Sequence, residues 1–204
     1  MAQVPERYPA NLTVDYPESL DRLTTFFRIF TVIPIAIILG LLLAGGGDRS
    51  GFYGIAWYVF LPTVLMLLFR QKYPRWWFDW NYALISFAAR VTAYAALLRD
   101  EYPSTDEEQA VHVELFYPDA RTDLNRWLPL VKWLLAIPHY IVLFFLYIAA
   151  FVAVVIAWFA ILFTTRYPRS LFDFVVGVIR WTLRVDAYAY LLTTDRYPPF
   201  TLSE

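Results

Sequence analysis

The sequence predicts an all-α membrane protein made of two tandem copies of one unit, and three observations carry that expectation. First, 59% of the 204 residues are hydrophobic and 20% are aromatic, whereas soluble domains average about 45–50% apolar. Second, the chain matches itself at fixed positions that include charges and prolines. Third, of 17 Lys and Arg residues only Arg49 lies in the short loop between two apolar runs; the others flank or follow the runs.

The internal match pairs residues 70–103 with 164–198. Tyr73-Pro74-Arg75 aligns with Tyr167-Pro168-Arg169, Phe78-Asp79 with Phe172-Asp173, Arg90-Val91 with Arg184-Val185, and Tyr94 with Tyr188. Upstream, residues 12–34 align with 111–138, and Arg28 precedes Pro34 at the spacing by which Lys132 precedes Pro138. Apolar segments resemble one another by chance, but matched charges and prolines do not. The units divide as residues 1–104 and 105–204.

Each unit opens with an alternating stretch, Leu12, Val14 and Tyr16 in one, and Val111, Val113, Leu115 and Tyr117 in the other. Period-two alternation ended by Tyr-Pro predicts a short strand. Tyr-Pro occurs seven times, and because the residue before proline disfavours helix, each dipeptide marks an element end. Apolar runs follow. Unit one has two, about 26–44 and 52–69, broken by the stretch from Gly45 to Gly51; each is near the roughly 20 residues needed to span. Unit two has one long run within about 128–165. At about 1.5 Å per residue it exceeds one upright span, so it is either a tilted helix or a hairpin turning near Tyr147–Phe151. The hairpin keeps the cations on one face. The positive-inside rule therefore predicts a multi-pass protein of the cell membrane with four membrane helices and both termini cytoplasmic.

A third helix closes each unit, over 75–98 and 169–192. Asp79, Ser86 and Arg90 fall near one stripe, as do Asp173, Arg180 and Arg184, so each helix is expected to lie along the cytoplasmic interface. Spanning would put Arg90 near mid-bilayer, at about 2.5–3.5 kcal/mol.

Candidate functional residues follow from charge near lipid. Asp79, Arg90, Asp173 and Arg184 are the sharpest, with Asp79 expected to pair with Arg184, and Asp173 with Arg90, between the units. Arg28, Lys132, Arg70, Lys72, Arg75, Arg166 and Arg169 are expected to contact lipid headgroups. Pro34 and Pro138 are expected to kink or pack their helices. His139 and His112 stand apart from each other, and the absence of Cys removes thiolate ligands, so no metal and no cofactor is expected. No phosphate loop, dinucleotide fingerprint or nucleophile elbow occurs. A net charge of −1 points to no nucleic-acid partner, and residues before 25 carry Glu6, Asp15, Glu18 and Asp21 with no signal-peptide core.

Ala136-Ile137-Pro138-His139, Arg166-Tyr167-Pro168-Arg169-Ser170-Leu171-Phe172-Asp173-Phe174, Arg180-Trp181, Arg184-Val185 and Asp195-Arg196-Tyr197-Pro198-Pro199-Phe200 together resemble the bacterial membrane family known as domain of unknown function 4389. Unit two matches best. Unit one lacks the histidine after its proline and the closing Pro-Pro-Phe. The resemblance implies a bacterial cytoplasmic-membrane protein and supplies no catalytic residues. The expected function is a non-enzymatic accessory or scaffold subunit in contact with membrane lipids, with partner subunits or with itself. The alternative is a small channel, transporter or lipid-handling protein with a polar site between the units.

Overall fold

The computed structural model describes residues 7–44, 54–105 and 107–203. The Gly45–Gly51 break, Arg49 and Glu6 lie outside them. Both strands form where the alternation placed them. β1 (Ala10–Val14) pairs antiparallel with β2 (Val111–Leu115), Leu12 opposite Val113. Val111 and Val113 point inward, and His112 and Glu114 outward.

The helices are α1 (Arg22–Ala44), α2 (Gly54–Leu65), α3 (Arg75–Ala95), α4 (Pro129–Leu135), α5 (Ile137–Thr164) and α6 (Arg169–Ala189). A π-helical turn, Met66–Arg70, extends α2. Asp21 starts α1, its Oδ1 accepting from the backbone N–H of Leu23 (2.6 Å) and Thr24 (3.1 Å), as an N-cap aspartate does. Pro74 and Pro168 precede α3 and α6 with extended backbones, which is where the Tyr-Pro rule set the boundaries. Chain reversal after α3 and α6 uses left-handed leucines, Leu97 (φ 63°) and Leu192 (φ 58°). A left-handed non-glycine residue costs roughly 1–2 kcal/mol; both side chains are buried, and burying a leucine returns about as much.

The elements stack in three layers. α5 runs antiparallel along α6, and α1 lies against α3. Beneath the α3/α6 layer is the sheet, with its strands crossed over. β1 lies on α6, where the Arg180 Nε–H donates to the Leu12 carbonyl at 2.7 Å. β2 lies on α3, where the Tyr82 hydroxyl donates to the Val113 carbonyl at 3.0 Å.

The expected hairpin in residues 128–165 does not form. α5 is continuous through Tyr147–Phe151, because nothing there breaks a helix and α6 offers an uninterrupted partner for its buried stripe, His139, Leu143, Ala153, Ala157 and Ile161. Pro138 sits in the first turn of α5, where its missing N–H has no helical partner to lose.

Two helices, Arg22–Leu42 and Ile137–Thr164, are long and apolar enough to cross a membrane. Only 17% of the most apolar window of each is buried, unlike the core helix of a soluble domain. Phe26, Phe30, Ile33, Ile37 and Leu41 stand exposed on α1, and Phe144, Ile148, Phe151, Phe159 and Phe163 on α5.

Candidate functional site

The most deeply placed charges are Arg28 and Lys132. Neither reaches outward to headgroups, and that expectation is corrected: Arg28 is 2% exposed and Lys132 fully buried. Each is packed inward because an acid waits at the end of the unit's third helix. Arg28 pairs with Asp100, donates to the Arg99 carbonyl at 2.7 Å, and lies 4.0 Å over the Tyr94 ring. Lys132 pairs with Asp195 at 2.7 Å, donates to the Thr194 carbonyl at 2.7 Å, and lies 5.1 Å over Tyr188. A buried charge is tolerable only when paired and hydrogen-bonded in this way. Burial pushes the Lys132 ammonium down and Asp195 holds it up, burial being the larger effect.

The cross-unit pairs expected for Asp79, Arg90, Asp173 and Arg184 do not form. Asp79 takes Arg75 on the turn before it, at 3.1 Å, and Asp173 takes Arg169, at 3.1 Å; an i, i+4 neighbour is the nearest available cation. Arg75 and Arg169 also sit over the Tyr117 and Tyr16 rings, at 4.8 and 4.6 Å. Arg90 instead donates to the Ser104 carbonyl at 2.9 Å. Arg184 donates to the carbonyls of Thr201 (3.3 Å) and Ser203 (2.8 Å). These arginines tie down the chain that follows each helix. Arg70, Lys72, Arg75, Arg166 and Arg169 are exposed, Arg75 and Arg169 while holding their ion pairs and ring contacts.

His139 is fully buried. Its Nδ1 accepts from the Trp181 Nε1–H at 3.0 Å, so the ring proton resides on Nε2. Phe200 stacks on the ring at 4.0 Å. This is a packed core histidine. Among the described residues no three His, Asp or Glu stand close enough together to hold a metal ion.

A cavity of about 380 Å³ lies where α3, α5, α6 and β1 meet, walled by Leu12, Ile85, Ala89, Phe151 and Val178. Its polar groups are Thr92, Tyr147, Thr182 and Asp186, with Tyr147 and Thr182 hydroxyls 2.9 Å apart. Burial pushes the Asp186 carboxyl up to about 7. A second cavity of about 470 Å³, between α1 and α5, shares Phe151 and Val154 with the first. Asp186 gave no sequence signal beyond standing where the first unit has Thr92. Asp100 and Asp195 did give one: each stands two residues before a Tyr-Pro tyrosine.

The geometry thus defines a helical protein with two lipid-length apolar helices on one face and two buried ion pairs behind them. Residues 127–201 match the family described as Domain of unknown function (DUF4389), which bears out the resemblance carried by unit two. The match contains Lys132, His139, Asp186 and Asp195, whereas Arg28 and Asp100 fall outside it. No curated protein and no solved structure matches the chain.

Proposed function

We propose that the chain is a resident of the bacterial cytoplasmic membrane that acts without catalysis, as an accessory or scaffold unit contacting lipid and further protein. One observation carries this reading: the outward faces of α1 and α5 form a broad apolar surface, and no Asp, Glu, Lys or Arg occurs from Ile29 to Leu42 or from Ile137 to Thr164. Soluble monomers rarely expose contiguous apolar patches beyond a few hundred Å². Washing membranes with alkaline carbonate tests it. The protein is expected to stay in the pellet and to leave only with detergent; release by carbonate alone refutes membrane residence.

The chain is, in this reading, a tandem duplication. Its support is that corresponding residues repeat the same contacts: Arg28–Asp100 and Lys132–Asp195, Arg75–Asp79 and Arg169–Asp173, Tyr117 donating to the Tyr73 carbonyl and Tyr16 to the Tyr167 carbonyl.

A second reading, lipid handling, is favoured by the two adjoining apolar cavities and not by the polar site first expected between the units. Delipidated protein binding a fluorescent fatty acid, with loss of binding in Val154→Trp, is the corresponding test.

A further inference from the structure

We propose that α1 and α5 lie in the plane of the membrane, sunk into a single leaflet, and that the chain does not cross the bilayer. This rests on the membrane reading above and replaces the multi-pass arrangement expected from charge alone.

The orientation of α5 is tied to that of α6. The two helices touch along their length, from Tyr140 and Tyr190, whose rings are 6.2 Å apart, through Tyr147 and Thr182, to the cluster holding Ile161 and Phe172. Whatever tilt α5 takes, α6 shares.

The strand segment is tied to α6 in turn. Tyr8 donates to the Arg196 carbonyl at one end (3.0 Å), the Leu12 carbonyl accepts from Arg180 in the middle, and Tyr16 donates to the Tyr167 carbonyl at the other end. The chain from Tyr8 to Tyr16 therefore runs beside α6 from end to end. Were α5 upright in the bilayer, the sheet would traverse the hydrocarbon with it.

Hydrocarbon does not accept such a sheet. It has two strands among the described residues, so its outer edges are open, and only helices and closed barrels leave no backbone group unpaired in lipid. Its outer face is also charged. Arg7 meets Glu114 at 3.3 Å with both side chains about half exposed, and Asp15 meets His112 at 3.2 Å with both more than half exposed. Each exposed charge at mid-bilayer would cost several times the thermal energy, and a half-exposed pair leaves much of that charge facing lipid.

Laid flat, the same molecule has no conflict. The α1/α5 layer is one helix thick, about 10 Å, against a hydrocarbon core of about 30 Å. That matches the roughly 5–10 Å depth of helices lying at an interface. Both ends of α5 then reach the same water boundary. Partly exposed Asp195 stands at its start, and at its end Arg22 donates to the Phe163 carbonyl at 3.1 Å. Exposed Arg22, Arg166 and Arg169 rim one end of the slab, and Lys72 and Arg126 the other, complementing anionic headgroups.

The chain has no Cys, so single-cysteine variants of the full-length protein report sidedness. Thr122→Cys and Ser170→Cys flank the two ends of α5, His112→Cys lies on the sheet, and Phe151→Cys on the exposed face of α5. A membrane-impermeant maleimide is applied to intact cells and to inverted vesicles. Thr122→Cys, Ser170→Cys and His112→Cys are expected to label from one and the same side, with complete loss of labelling from the other. Phe151→Cys is expected to label only after detergent. Thr122→Cys and Ser170→Cys labelling from opposite sides would overturn the in-plane arrangement while leaving membrane residence intact. All four labelling without detergent, in protein that carbonate removes, would refute membrane residence and this inference with it.

Discussion

Arg28 and Lys132 hold corresponding places, but the two halves solve the same problem differently. Arg28 spreads its charge over Asp100, two backbone carbonyls and a tyrosine ring; a guanidinium offers several donors in a fixed fork. Lys132 has fewer anchors, one carbonyl and a more distant ring besides Asp195, and it is fully buried. The flanking helices differ in the same direction. α3 keeps Ala83 exposed, whereas the corresponding Gly177 on α6 lies under the C-terminal tail. That tail also stacks Phe200 on His139 and accepts hydrogen bonds from Arg180 and Arg184. The second half is knit by more contacts to its own tail, and each contact is correspondingly less replaceable.

The largest expected effect tests the two ion pairs directly. Asp195→Asn leaves the Lys132 ammonium buried without its counter-charge, a loss of about 3–5 kcal/mol, read by thermal unfolding in detergent. Asp100→Asn should cost less, because Arg28 keeps two carbonyls and a ring at 4.0 Å where Lys132 keeps one carbonyl and a ring at 5.1 Å. Equal losses would end the distinction between the halves. Gly177→Ala comes next. Its new Cβ would stand 2.8 Å from the Leu202 Cβ and 3.0 Å from the Leu202 carbonyl oxygen. Overpacking of this kind costs about 1–3 kcal/mol; Ala83→Ser, on the open counterpart, should cost almost nothing.

A third test uses pH. The Asp186 carboxyl titrates at about 7 in the folded chain against 3.8 as its ordinary value. Between those values the unfolded state holds fewer protons than the folded state. Stability therefore falls as pH rises from about 4 to 7 and levels off above. Asp186→Asn should flatten that slope and stabilise at pH 8 by roughly 2 kcal/mol, because solvent reaching the half-buried side chain screens its charge. Thr92→Asp, at the aligned but exposed place on α3, should create little slope, and a slope as large as that of Asp186 would show that the two cavity walls are equally desolvated. The smallest effect is expected for Arg75→Gln and Arg169→Gln. Each breaks an exposed i, i+4 pair worth about 0.3–0.5 kcal/mol and a ring contact worth about 0.5–1 kcal/mol, measured as equal small shifts in melting temperature.

Much of the fold was legible because local rules wrote it. Alternation gave both strands, Tyr-Pro gave the starts of α3 and α6, and hydropathy gave α1 and α5. What failed depends on packing. Charge bookkeeping favoured a turn near Tyr147, yet the continuity of α5 is decided by its fit to α6, which no window along the chain contains. Symmetry favours pairing Asp79 with Arg184, while the simpler partner, Arg75, stands one helical turn away. Arg28 and Lys132 look like surface cations because arginine or lysine at a helix start usually is one; their acids lie far along the chain, beyond the third helix.

The crossing of the strands has one more consequence. Each half's third helix is roofed by the strand of the other half, so neither half carries its own complete core. A fragment beginning at residue 105 would retain β2 with no α3 beneath it, and an α6 stripped of β1. Two such fragments could repair each other by exchanging strands around a twofold axis, and cutting the chain between its halves should yield reciprocal dimers instead of independent folded monomers.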